Sequence, residues 1–463
     1  MSRHGRAAVA VLGALAGIVL AWAATRHGLH FVDLVGFSRR GAELAAGLPA
    51  SDGLYPLGYP SLLVLGHAAG LEVLTTARGV SVLLGVGVVA VAGARLGAAA
   101  GLWLLVQAPF LAWATTEGTD LPAAALALGA VLTASQPRLA GLMLGAALCL
   151  RWTAAAWIPA VLVAAEPGTR RTVFALALAG TMPHWLACAW CGTLVLPNQE
   201  MNLAMAAGPG APPAAAGTWA ALVRIPAGLG RALPHVLPDL TSRVGAALLV
   251  TSCIGFARDV QGRADRRLAV ALALGAGLHT LALAAVFANP RLALPATLAA
   301  ALGFPIFWRR LRPWGATVVT AAGVLLVAGA AWTGWRTLPA LATPPPEVEL
   351  VTALHEALKS GTTPMVGSVM TNSALAHTTS DGWLRPGIQL GGLYVTPRTT
   401  PAELGALADA RGLTVLVLDP TRHRRDHAGL TALYEARLVS TDGWRRRATG
   451  RWRVWEREAA AEP

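Results

Sequence analysis

Charge is scarce in this chain. Of its 463 residues, 13% are charged and 55% are hydrophobic, whereas a soluble domain carries about 25% charged residues. The mean hydropathy is +0.54. Long apolar runs recur along the sequence, and a transmembrane helix needs about 20 such residues. The composition excludes an ordinary soluble enzyme and predicts a polytopic membrane protein.

Cysteine is also rare. The four cysteines lie in or beside apolar runs, and none lies in the polar C-terminal region (Cys149, Cys188, Cys191 and Cys253). This distribution excludes an extracellular disulfide framework. Cys188 and Cys191 form a CxxC pattern, but inside an apolar run, and we interpret them as small packing residues.

The net charge of +13 does not indicate a nucleic-acid partner. The arginines lie in short loops between apolar runs, where membrane proteins keep their cytoplasmic charge. Arg3 and Arg6 place the N-terminus in the cytoplasm by the same rule. We therefore predict a multi-pass protein of the plasma membrane that contacts membrane lipids.

The apolar runs predict about 11 spans: 7–24, 76–94, 98–115, 121–134, two within 139–165, 172–196, 242–257, 268–287, 292–308 and 314–335. One assignment of their directions puts every dense arginine cluster on the cytoplasmic side. The run 59–72 is too short to span, so we predict a helix on the outer face. The run 139–165 is apolar except for Arg151 and Trp152 at its middle. We predict a hairpin of two short helices with Arg151 at the outer turn.

The composition becomes soluble after residue 340. Residues 364–370 and 413–418 are predicted as buried strands, with a helix over 401–410 between them, which is typical of a small α/β domain. Because this region follows an outward span, it is expected outside the membrane. The prediction is a mainly α membrane helical bundle over 1–340 and an extracytoplasmic α/β domain over 341–463.

Four charged residues from separate loops fall on the predicted outer face: Asp33, Glu117, Asp120 and Arg291. Ionisable groups close to a membrane are costly and usually functional. A carboxylate can accept a proton from an attacking hydroxyl or amine, and an arginine can neutralise a phosphate through paired hydrogen bonds. The set fits acid–base chemistry on a lipid-borne phosphate.

Plainer interpretations stand beside this one. Asp33 can pair with Arg39 or Arg40. Glu117 and Asp120 can cap the next helix, whose N-terminus favours acids. Arg291 can be an interfacial residue whose charged end reaches water.

The order of these motifs resembles the GT-C membrane glycosyltransferases, especially the group of protein O-mannosyltransferases and the lipid A aminoarabinose transferase. The resemblance rests on five motifs in order. The first is an acid after the first span followed by a helix ending in glycine (Asp33 with Gly47), and the second is a Tyr-Pro turn before a juxtamembrane helix (Tyr55 to Pro60). The others are an Asp-x-Pro element (Asp120 to Pro122), an Arg-Trp-Thr element (Arg151 to Thr153) and an arginine four residues before a proline (Arg291 with Pro295).

The resemblance implies an inverting transfer of a hexosyl or pentosyl group from a polyprenyl-phosphate sugar to a glycan, lipid or protein acceptor. Asp33 would be the catalytic base, and Arg291 would stabilise the departing phosphate. Glu117 or Asp120 would orient the acceptor or, as the less favoured alternative, hold a divalent cation; no metal ligand set is assigned.

Three further residues are candidates for substrate binding. Tyr55 belongs to the Tyr-Pro turn, and His67 lies in the helix that follows it; a packed or interfacial role is the plainer interpretation of His67. Arg151 is either the structural partner of an outer-face acid or a contact to phosphate.

The competing function is a transporter or flippase that binds a lipid-linked sugar without transferring it. Transporters often show internal repeats and ionisable sites at the membrane midplane. No repeat is evident here, and the acids gather on one predicted face. The sequence favours the enzyme over the transporter and over a non-catalytic scaffold.

Overall fold

The computed structural model describes residues 3–26, 33–49, 55–196, 218–255, 260–285, 289–311, part of 328–336, and five short strands between 366 and 457. In the described residues the helices are α1 (Arg3–Arg26), α2 (Asp33–Ala45), α3 (Gly58–Ala68), α4 (Val73–Leu96), α5 (Ala98–Leu105), α6 (Ala108–Ala114), α7 (Asp120–Leu132), α8 (Pro137–Leu150), α9 (Ile158–Ala164), α10 (Arg170–Gly180), α11 (Met182–Trp190), α12 (Thr218–Val236), α13 (Leu240–Gly255), α14 (Val260–Ala285) and α15 (Pro290–Leu311), with short 3-10 turns at Trp152–Trp157 and Pro167–Thr169.

Among the described residues, five helical stretches are long and apolar enough to cross a membrane: Ala7–Ala24, Val73–Leu96, Pro167–Trp190, Gly262–Ala285 and Pro290–Arg309. Each coincides with a predicted span. Four shorter apolar helices coincide with further ones: Asp120–Leu132, Pro137–Leu150, Trp152–Ala164 and Leu240–Ile254. The protein is therefore a multi-pass helical membrane protein, while the total of 11 spans stays a prediction because most of 314–335 lies outside the described residues.

The centre of the bundle is α7. Every one of its residues is buried, and it packs against α4, α8 and α15. Its sequence from Ala123 to Leu132 has no charged side chain, so no face of the helix needs water. The charge at its start, Asp120, is thus held at a fixed place beside three other helices.

One predicted span is interrupted. The run 98–115 forms two short helices, α5 and α6, that meet at Gln107. Pro109 lies in the first turn of α6, and a proline inside a continuous helix would clash with the carbonyl one turn earlier. The Gln107 side chain bonds the Trp103 carbonyl and the Thr241 hydroxyl, so the polar groups at the break are satisfied.

The run 139–165 also breaks where its charge lies. Helix α8 ends at Leu150, Arg151 is extended (φ −157, ψ 126), and a 3-10 turn leads into α9. The short helix α3 occupies the stretch predicted to lie on the outer face.

Beyond residue 340 the structure describes five strands, β1 (Val366–Ser368), β2 (Leu390–Gly392), β3 (Val415–Leu418), β4 (Trp444–Thr449) and β5 (Trp452–Arg457). They form one sheet in the order β2-β1-β3-β5-β4, parallel between β2, β1 and β3 and antiparallel between β3, β5 and β4. Strands β1 and β3 fall inside the predicted strands. The helix predicted between them lies outside the described residues, so the α/β domain stays a prediction.

Candidate active site

The loop between α6 and α7 is buried and braced by Tyr59 at the start of α3. The Gly118 N–H donates to the Tyr59 hydroxyl oxygen at 3.1 Å, and Gly118 has a φ of 137°, a conformation that favours glycine. The Tyr59 ring packs edge-on against Phe37 with centroids 5.0 Å apart. Burial raises the pKa of the Tyr59 phenol far above its ordinary value, so the hydroxyl stays protonated.

Glu117 in this loop is bound by an arginine from α4. The Arg78 Nε and its terminal nitrogen each lie 3.0 Å from Glu117 Oε1. The Glu117 side chain has no exposed area and the Arg78 side chain is 19% exposed. A buried carboxylate needs such a partner, because an unpaired buried charge is strongly destabilising.

Asp120 is the first residue of α7, and its carboxylate forms an ion pair with Arg151. The same guanidinium donates to the Thr119 hydroxyl at 2.8 Å. An acid in the first turn of a helix also benefits from the helix dipole. Asp120 thus lies in the first helical turn, as the capping interpretation expected, and is also the ion-pair partner of Arg151.

Arg291 lies in the first turn of α15, which Asn289 caps. The backbone N–H of Arg291 donates to the Asn289 side-chain oxygen at 3.1 Å, as in a helix N-cap. Pro290 at the first helical position costs no hydrogen bond. The sequence Asn-Pro-Arg thus fixes where the helix begins and where the Arg291 side chain leaves it.

Asp120, Arg151 and Arg291 line one small cavity that is partly open to solvent. The remaining lining residues come from α7, the 3-10 turn, α14 and α15: Ala123, Ala127, Thr153, Ala154, Trp157, His279, Leu292 and Pro295. The lining thus contains two arginines and one carboxylate, of which Arg151 and Asp120 form an ion pair, among mostly apolar residues. Such an arrangement suits an anion, and arginine is well matched to the oxygens of a phosphate.

The other predicted site residues lie elsewhere. Glu117 does not line the cavity, although it shares a loop with Asp120. Tyr55 is partly buried against Phe37, with ring centroids 4.9 Å apart, and His67 is exposed on α3; neither lines the cavity. Asp33 begins α2, and its side chain lies outside the described residues.

The described carboxylates do not fit a divalent cation. Within the described ranges no three His, Cys, Asp or Glu side chains converge as metal ligands do. Glu117 and Asp120 are each bound to an arginine, whereas Mg²⁺ and Ca²⁺ are held by several free oxygens.

Two contributors to the site were not singled out as such in the sequence. His279 lies within a long apolar helix, and an ionisable residue at such a position is a functional candidate by default. Arg78 lies at the start of the apolar run 76–94 and is assigned no role from the sequence. Its pairing with Glu117, 39 residues away, has no local sequence signal.

The described helices, with charged residues at helix starts and breaks, are those of a polytopic membrane protein. The fold is similar to that of ArnT from Cupriavidus metallidurans. The ArnT structure bound to undecaprenyl phosphate aligns with a TM-score of 0.59 at 16% identity, covering 98% of this chain and 99% of that one. The apo ArnT structure aligns with a TM-score of 0.61 at 16% identity, covering 96% and 97%. The resemblance to GT-C glycosyltransferases expected from the sequence is confirmed at the level of the fold. No protein family and no curated protein sequence matches the chain.

Proposed function

We propose that this protein is a membrane glycosyltransferase that moves a hexosyl or pentosyl group from a polyprenyl-phosphate sugar to an acceptor on the extracytoplasmic face. The observation that carries the proposal is the cavity in which Arg151, Arg291 and Asp120 converge. The fold adds support, since the ArnT structure that aligns over nearly the whole chain holds undecaprenyl phosphate.

In this mechanism the donor phosphate binds at Arg291, with Arg151 as a second guanidinium close by. Asp33 takes the proton of the acceptor hydroxyl or amine, and the acceptor lone pair attacks the anomeric carbon. The bond from that carbon to the phosphate oxygen breaks, and the electron pair leaves with polyprenyl phosphate. One direct displacement inverts the anomeric centre. The fixed positive groups stabilise the negative charge that develops on the leaving phosphate. Such electrostatic stabilisation of the transition state is usually the largest single contribution to catalysis.

The two buried acids receive different parts. Asp120 lines the cavity and is assigned to orienting the acceptor. Glu117 is held by Arg78 away from the cavity lining, so we assign it to fixing the loop that carries Asp120. We further propose that residues 1–340 form the transferase unit and that residues 341–463 form an extracytoplasmic α/β domain, whose relation to the acceptor is open to experiment.

The test is transfer by purified protein from a panel of radiolabelled polyprenyl-phosphate sugars, with Asp33→Asn as the key variant. Loss of a general base typically costs about 10²–10⁴-fold in rate, so we expect Asp33→Asn to fall in that range while the fold is kept. Glu72→Gln is the matched control, because Glu72 is an exposed acid between α3 and α4. Near-normal transfer by Asp33→Asn would remove Asp33 as the base. Donor uptake across vesicles without any transfer would instead indicate a transporter.

A further inference from the structure

His279 is a buried histidine of the cavity wall to which the mechanism gives no part. It lies on α14 and is 1% exposed. The helix around it, from Leu268 to Ala285, has no other ionisable side chain. Burying an imidazole in such a segment is unfavourable unless its polar atoms are used.

The imidazole is tied to the segment that carries Arg291. Its Nε2 lies 2.7 Å from the carbonyl oxygen of Leu292. Because a carbonyl only accepts, Nε2 carries the hydrogen and donates it. Leu292 directly follows Arg291 at the start of α15, so this bond holds the first turn of α15 against α14.

The same part of α14 also supports the segment that carries Arg151. Thr153, two residues after Arg151, lines the same cavity as His279. Trp157, at the end of the 3-10 turn, packs on Gly275, one helical turn before His279, so closely that a Cβ at Gly275 would overlap its ring. The turn of α14 between Gly275 and His279 is thus a common support for both arginine-bearing segments.

We infer that His279 is a positioning residue that sets the distance between Arg291 and Arg151 for a lipid-linked phosphate. The inference rests on the proposed function, since it assigns the phosphate of the donor to these arginines. His279 acts through the Leu292 carbonyl and takes no proton from the substrate. Its effect is expected on the affinity for phosphate, with the order of the chemical steps unchanged.

The test measures binding of undecaprenyl phosphate to the full-length protein in detergent, together with its thermal unfolding. We expect His279→Ala to weaken binding about tenfold, the size of effect that follows from losing one buried hydrogen bond. His279→Gln keeps an N–H donor for the Leu292 carbonyl, so it should stay within about threefold of wild type. His279→Leu fills a similar volume without a donor, so it should bind as weakly as His279→Ala; binding as tight as wild type by His279→Leu would assign the effect to volume alone.

Thr280→Val is the matched control. Thr280 is the next residue on α14, is 7% exposed, and donates its hydroxyl to the Ala276 carbonyl at 2.7 Å, but it does not line the cavity. This variant also removes one buried hydroxyl bond, so a general weakening of α14 would appear in it too. We expect its binding to equal that of wild type.

A double variant separates positioning from simple destabilisation. In an Arg291→Gln background, His279→Ala should cost no further affinity, because the group that it positions is gone. Additive losses, or unchanged binding by His279→Ala in otherwise native protein, would overturn the positioning role. Failure of wild-type protein to bind undecaprenyl phosphate would instead count against the proposed function, so the two failures are distinguishable.

Discussion

The buried Tyr59 hydroxyl joins the start of α3 to the loop between α6 and α7, since it accepts the Gly118 N–H from 59 residues further along the chain. Tyr59→Phe leaves that N–H without its acceptor, which costs about 1–3 kcal/mol. We expect a lower unfolding temperature in detergent and slower transfer, because the loop carries Asp120 into the cavity.

Ser61→Ala serves as the control on the same helix. Ser61 donates to the Leu57 carbonyl one turn earlier, so its loss leaves no donor of the loop unpaired. Equal unfolding temperatures for the two variants would contradict the bracing role of Tyr59.

The ion pair between Asp120 and Arg151 gives a second prediction. Both side chains are largely buried, at 4% and 12% exposed, and removing one partner of a buried pair costs about 3–5 kcal/mol. Arg151→Met should therefore be much less stable than wild type, and adding Asp120→Asn should restore part of that stability, because the uncompensated charge is gone. Transfer should be lost in both variants.

Comparing these single and double variants separates an effect on stability from an effect on the rate of transfer. Recovery of stability without recovery of transfer is the expected result, measured by unfolding and by transfer on the same preparations. If the double variant is no more stable than Arg151→Met, an unpaired Asp120 carboxylate is not what destabilises the single variant.

At the scale of single residues, the charged residues of the site could be predicted from the sequence, but the particular residue that pairs with each could not. Asp120, Arg151 and Arg291 could be singled out because each is a charged residue at the edge or break of an apolar run. His279 does not follow this rule, because it lies well inside an apolar run and away from any edge or break. The partner of Glu117 depends on how α4 meets the acidic loop, and no local pattern encodes that meeting.

Two long elements, α13 and α15, meet through glycines. A Cβ on Gly303 would overlap the Gly245 carbonyl oxygen, and a Cβ on Gly245 would overlap the Ala300 carbonyl oxygen. Small residues at such contacts let helix backbones approach closely inside a membrane. Because Arg291 begins α15, this contact also helps to place the arginine in the cavity.

We expect Gly303→Ala to force the two helices apart, at about 1–3 kcal/mol, and to weaken binding of the lipid phosphate. Gly277→Ala on α14 is the control, since a Cβ there meets nothing within 4 Å and alanine is the better helix former by about 1 kcal/mol. Unfolding temperature and lipid binding should fall in the first variant alone. A harmless Gly303→Ala would show that the close approach is not required.

The secondary-structure elements could be predicted better than the contacts between residues. Long apolar runs predicted the long apolar helices, and the charge at Arg151 predicted a break. The apolar content of 98–115 predicts one span, but Pro109 disfavours a continuous helix, and the structure has two short helices there.

At the scale of the whole molecule the orientation in the membrane is still a prediction, and it depends on the run 139–165. A hairpin returns the chain to the cytoplasm, whereas one span would leave Arg170 and Arg171 outside, against the positive-inside rule. Alkaline phosphatase, which is active only outside the cytoplasm, should therefore be inactive when fused at Gly97 or Gly168 and active at Gly192 or after Pro463. Activity at Gly168 would favour one span over 139–165 and would move every later loop to the opposite face. In that case Arg291 would face the cytoplasm, apart from Asp33, and the proposed transfer site could not assemble on one side.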